Sequence, residues 1–149
     1  MEISVRAMEA TDRAVWAKMR AALWPDEDAR ILAEETDKIL GGDDGWAFIA
    51  QTPNKQPLGF AEIAIRKYAN GCETQPVPFL EGIWVAPEFR RQGVGQALVR
   101  YVEAFLIARG YRELGSDALL ENKISHQSHR GWGFSETERV VYFRKSLGG

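Results

Sequence analysis

The chain has 149 residues, 45% hydrophobic and 27% charged, with a formal net charge of −2. That length carries a single domain over residues 1–149 with its own core, held without metals or disulfides. The near-neutral balance argues against general nucleic-acid binding, and the single cysteine rules out an intrachain disulfide.

Residues 2–6 alternate as a short strand, after which Thr11 or Asp12 can cap a helix carrying Val15, Trp16, Met19 and Leu23 on one face. Pro25 ends that helix, and a second is predicted from near Asp26 through Ile31, Leu32 and Ile39 to Gly41 and Gly42. Residues 26–44 hold eight carboxylates (Asp26, Glu27, Asp28, Glu34, Glu35, Asp37, Asp43, Asp44) against two bases, Arg30 and Lys38. Such a surface suits a cationic substrate, although a solvated acidic helix accounts for most of these residues individually. Residues 46–51 and 58–68 read as strands joined by the turn TPNKQP, followed by the polar loop ANGCETQPVP. A strand from Phe79 follows, in which Gly82 predicts a bulge. The remaining pattern predicts a helix over 94–109 stopped by Gly110, a strand over 111–116, a helix over 121–132 and a final strand or hairpin over 134–145. The N-terminus MEISVRAMEA lacks a basic n-region and a long apolar run, and no window reaches membrane-spanning length. A cytoplasmic enzyme without a membrane partner is the expectation.

The most informative stretch is FLEGIWVAPEFRRQGVGQAL, where an apolar strand runs through RRQGVG into a helix. Backbone N–H groups at such a helix start form a site for the phosphates of a nucleotide-like cofactor. Arg90, Gly93 and Gly95 follow R-x-x-G-x-G, unlike the ATP-binding loop or the dinucleotide fingerprint. Glycine lets the backbone approach a phosphate, and Arg90 and Arg91 add charge beside it.

This turn resembles the pyrophosphate loop of the acyl-CoA-dependent N-acetyltransferases, the GNAT superfamily. A closer resemblance, to the aminoglycoside 6′-N-acetyltransferases, covers nearly the whole chain through LWP (23–25), YANGCE (68–73), FLEGIWV (79–85), SDALLEN (116–122) and GFSETERVVYFRK (133–145). It implies an α+β fold with a central mixed, mostly antiparallel sheet flanked by helices and a β-bulge in the cofactor strand. It also implies that Trp24, Tyr68, Glu81, Asp117 and Glu138 line the aminoglycoside pocket. Acetyl-CoA would be held by Ile83, Trp84, Val85, the turn Arg90, Arg91, Gln92, Gly93, Val94, Gly95 and Gln96, and Asn122. The chemistry is consistent: polycationic sugars need carboxylates for their ammonium groups and aromatic faces for their rings. Glu81 inside an apolar run and Asp117 at the end of another would be costly unless solvated or paired with a cation.

Direct attack on the thioester needs a neutral amine, yet surrounding carboxylates keep it protonated. Asp117, through a water, is therefore read as the group that orients the reacting amine and takes its proton, with Glu81 and Glu138 clamping remote ammonium groups. For the departing thiolate, the tyrosine that many family members carry four residues before a Gly-Phe pair is replaced by His129, and Tyr142 is a second candidate acid. Cys72 has no histidine near it in sequence and reads as a packed or idle thiol. His126 and His129 share a helix face without a third clustered ligand, so no metal is expected. The family also implies a homodimer, with VVYF able to pair across a two-fold axis. Competing functions are acetylation of a polyamine, peptide N-terminus or lysine, and a catalytically silent CoA-binding module.

Overall fold

The computed structural model describes residues 1–148, which fall into two compact units divided after Asp117. The first unit is built on a four-stranded antiparallel sheet in the order β1-β2-β3-β4, from Ser4–Ala7, Gly45–Gln51, Pro57–Arg66 and Val77–Val85. Helices α1 (Arg13–Leu23) and α2 (Ala29–Gly41) lie between β1 and β2 in sequence, and α3 (Val94–Ala108) follows β4. The α+β class and the antiparallel sheet are as expected.

Pleat alternation divides the core. Trp16 and Met19 of α1 pack with Ala47, Ile49 and Phe60 on one face of the sheet. On the other face Phe48 meets Tyr101 and Phe105 of α3 at ring separations of 5.3 and 4.9 Å, and Trp46 meets Phe105 at 5.1 Å.

Local chemistry sets the helix ends. Asp12 stands before α1, but its carboxylate turns back to accept from the Arg6 fork at 2.7 and 2.8 Å and from the Glu9 backbone N–H at 2.8 Å, so it does not cap the helix as expected. The Arg6 hydrogen bonds, against the cost of burial, hold the Asp12 carboxyl below its ordinary range. α2 starts three residues later than predicted near Asp26, because Asp28 takes the capping position and accepts from the Arg30 N–H at 2.8 Å.

Two predicted strands are absent. Residues 111–116 contribute only an isolated parallel bridge between Phe79 and Gly115, and no strand occurs among the described residues of 134–148. Apolar alternation supplies a face, but a strand also needs a ladder of partner N–H and C=O groups. In the second unit α4 (Lys123–Gly131) forms with Asn122 at its N-cap, its side chain accepting from the Ser125 N–H at 3.1 Å.

Candidate active site

The β-bulge lies where the sequence suggested. Glu62 of β3 pairs with Gly82 and Ile63 with Leu80, so Glu81 is the extra residue on β4. Gly82 is required by close packing: a Cβ there would lie 2.8 Å from two ring carbons of Trp24. The Trp24 indole, at the end of α1, therefore lies directly over the bulge and meets Phe60 in a T-shaped pair with ring centroids 6.4 Å apart.

Beneath Trp24 sits a buried polar cluster that sequence reading missed. Glu62 accepts from Trp16 Nε1 at 2.7 Å and from Arg20 Nε and Nη2 at 2.7 and 2.9 Å. Arg20 Nη1 also donates to the Leu32 carbonyl and to Glu35, and its guanidinium lies 5.0 Å from the Trp24 ring centroid. Burial works against the Arg20 charge, but Glu62 and then Glu35 outweigh it and hold its pKa above the ordinary value. The signal was available: Trp16, Arg20 and Trp24 recur every four residues on one helix face, and Glu62 interrupts LGFAEIAI as Glu81 interrupts FLEGIWV.

Of the expected acceptor residues in this unit, Glu81 is exposed at the bulge, and both its oxygens take the Arg66 fork at 2.8 and 2.7 Å. Tyr68 lies just past β3 and is 66% exposed. Asp117 is exposed two residues beyond Gly115, as Glu81 is two residues beyond Phe79, so these two carboxylates leave the same parallel bridge. The loop before β4 is pinned by Glu113, which accepts from the Thr74 hydroxyl and from the N–H groups of Thr74 and Glu73. Those bonds, the Thr74 hydroxyl foremost, hold the Glu113 carboxyl below its ordinary range. Cys72 packs so close to Gly115 that a Cβ there would meet its Sγ at 2.8 Å. Burial first, then the Glu113 charge, push its thiol pKa up, which opposes thiolate formation and nucleophilic use.

The same strand leads into the turn expected to bind phosphate. β4 is an edge strand, and because the Ala86 N–H donates to the Leu58 carbonyl, strand alternation turns the backbone of Trp84 toward β3 and that of Ile83 and Val85 toward the open edge, where an extended amide chain can add. Arg90 Nε donates to the Val85 carbonyl at 2.9 Å and so braces the turn. Arg91 at φ 63° and Gly93 at φ 90° are left-handed, which curls the backbone before α3. The Ala97 N–H donates to the Gly93 carbonyl at 3.0 Å, so the preceding N–H groups of Val94, Gly95 and Gln96 have no carbonyl within the helix. The turn thus presents backbone N–H groups at a helix N-terminus, with the exposed Arg90 and Arg91 just before it in sequence, the chemistry that a phosphate group needs.

In the second unit, Asn122 serves as the cap of α4. His129 Nδ1 donates to the Ser125 carbonyl at 2.7 Å, and its ring packs against Trp132 and Phe134. In the neutral ring the proton thus sits on Nδ1, and proton delivery from Nε2 requires the imidazolium. His126 Nε2 hydrogen-bonds the Leu119 carbonyl at 2.9 Å. Glu138 and Tyr142 are exposed on the segment that forms no strand. Among the described residues no three His, Cys, Asp or Glu side chains are grouped to hold a metal, and no helix is long and apolar enough to cross a membrane.

The model of the Acetyltransferase (GNAT) family matches residues 8–134. The aminoglycoside N(6′)-acetyltransferase type 1 of Stenotrophomonas maltophilia is 43% identical over 97% of this chain and 94% of its own. Among solved structures, the aminoglycoside 6′-N-acetyltransferase AAC(6′)-Ih of Acinetobacter baumannii superposes with a TM-score of 0.90 at 38% identity, covering 99% of this chain and 100% of that one. AAC(6′)-Iy, solved with the bisubstrate analogue CoA-S-monomethyl-acetylneamine, gives a TM-score of 0.91 at 38% identity, with 99% and 100% covered. With a phosphate cradle, an acidic bulge roofed by tryptophan and these relatives in agreement, the chain belongs to the GNAT acetyltransferase family and, within it, to the aminoglycoside N(6′)-acetyltransferases of type 1.

Proposed function

We propose that the protein transfers the acetyl group of acetyl-CoA to the 6′-amine of an aminoglycoside antibiotic by direct attack in a ternary complex, and so confers resistance. The observation that carries this reading is that one strand, β4, presents an acidic bulge under the Trp24 indole and then runs into the phosphate cradle. Donor and cationic acceptor thus meet along a single rigid element. The relatives named above act on aminoglycosides by their names, which supports that acceptor over a polyamine or a peptide amine.

Residue roles follow from chemistry and family position. Ile83 and Val85, on either side of Trp84, offer backbone partners to the extended arm of acetyl-CoA, and residues Arg90 to Gln96, with Asn122, hold the rest of it. Trp24 and Tyr68 take apolar sugar faces, while Glu81 and Glu138 take ammonium groups. Asp117, through a water, takes the proton of the reacting amine. As the N–C bond forms and the C–S bond breaks, a backbone N–H at the bulge stabilises the thioester oxygen, and His129 or Tyr142 returns a proton to the thiolate sulfur. No step calls for a metal. The two units work as one domain, since the family match runs through both, and the enzyme acts in the cytoplasm, where acetyl-CoA is made. A homodimer completes the proposal, with the apolar, exposed run Val140 to Phe143 as its pairing segment.

The assignment of the base is tested by Asp117→Asn. Its kcat should fall by about a hundredfold or more, the usual contribution of general base catalysis. An effect confined to the acceptor KM would make Asp117 a binding residue only.

A further inference from the structure

Two arginine–glutamate forks flank the bulge, and they differ in one respect. Arg20–Glu62 is sealed, with side-chain exposures of 6% and 4%, whereas Arg66–Glu81 is open, at 41% and 31%. Arg66 and Glu81 lie on the same face of the sheet, and the Arg66 guanidinium also lies 3.6 Å from the Phe79 ring centroid. Glu81 is thus the carboxylate proposed to receive an acceptor ammonium, and both its oxygens already receive hydrogen bonds from a cation within the chain. An exposed pair of this kind contributes little to folding and can exchange partners, while the sealed one cannot.

We propose that Arg66 is an internal occupant of the acceptor-cation site: it satisfies Glu81 in the resting enzyme and must be displaced, or share the carboxylate, when the substrate ammonium binds. The Phe79 ring gives the guanidinium a second resting partner, so the fork can loosen without leaving Arg66 in bulk water. The consequence is selectivity. A polycation has further ammonium groups for the remaining carboxylates and can meet the cost of exchange, whereas an acceptor with one positive charge has none. Arg66 therefore acts as a specificity-determining residue that raises the charge an acceptor must carry. This inference rests on the aminoglycoside reading above.

Steady-state kinetics of the full chain with acetyl-CoA and kanamycin, and with a singly charged amino sugar bearing a 6-amine, test it at physiological ionic strength. Arg66→Gln should lower the acceptor KM by about fivefold, a modest competition coupling, and by more for the singly charged amine. The acetyl-CoA KM should not move. Glu81→Gln should raise the acceptor KM, and adding Arg66→Gln to it should bring no further decrease, since Arg66 acts through Glu81. Lys67→Gln removes an equal charge next door and should shift KM far less. A higher acceptor KM in Arg66→Gln would show that Arg66 only positions Glu81, and an unchanged KM that the fork is a solvated surface pair; either overturns the proposal while the acetyltransferase reading stands. Absence of turnover with any 6′-amino compound in the unsubstituted enzyme would remove both.

Discussion

At the scale of single residues, the site is set by how little space Gly82 leaves. With the Trp24 ring carbons 2.8 Å from where its Cβ would stand, Gly82→Ala must tilt the indole off the bulge or push β4 away from α1. Loss of about tenfold or more in kcat/KM for the aminoglycoside is expected, with a smaller rise in the acetyl-CoA KM, because Trp24 lies over Gly82 itself while the Arg90 to Gln96 turn lies beyond the end of β4. Equal rises in both KM values would contradict this division. Glu113 offers a test in pH. Its folded pKa is depressed, so its contribution is fully present above the ordinary carboxylate range and is lost as pH falls through that range to the depressed value. Thermal melts of Glu113→Gln should therefore fall below those of the unsubstituted protein at neutral pH and converge with them in acid.

At the scale of elements, the bulge in β4 and the end of α1 are held in register by the buried cluster of Trp16, Arg20 and Glu62. Glu62→Gln removes the buried carboxylate and leaves Arg20 only the more exposed Glu35 and the Leu32 carbonyl, and destabilisation of about 3 kcal/mol is expected from denaturant unfolding. A loss below about 1 kcal/mol would place Arg20 in contact with water and remove the cluster as a brace for Trp24. The sequence made the bulge, the cradle and the helix after it legible, because glycine at Gly82, Gly93 and Gly95 and a carboxylate inside FLEGIWV each break a local rule for a local reason. The Arg20 and Arg66 forks were not legible as contacts. Each joins residues at least 15 positions apart, and a pairing of that kind is set by sheet register rather than by spacing. Residues 111–116 and 134–145 were misread because alternation records a side chain's preferred face and says nothing of whether a partner strand stands alongside.

For the whole molecule, family membership rests on agreement between motifs spread from Trp24 to Lys145 and relatives that cover nearly the full chain. The proposed homodimer predicts a sedimenting species of twice the chain mass, dissociated or weakened by charged substitutions at Val141 and Phe143, which are 74% and 92% exposed. A monomer at enzyme-assay concentrations with full activity would contradict it. The central claim is regiospecific transfer to a 6′-amine, and acetyl-CoA consumption with kanamycin or tobramycin, which bear that amine, against paromomycin, which bears a hydroxyl there, tests it most directly. The account predicts rapid turnover with the first two and none with the third, spermidine and a lysine peptide being inert. Turnover of the polyamine or the peptide alone would leave the fold and the cofactor cradle standing and contradict the assigned substrate.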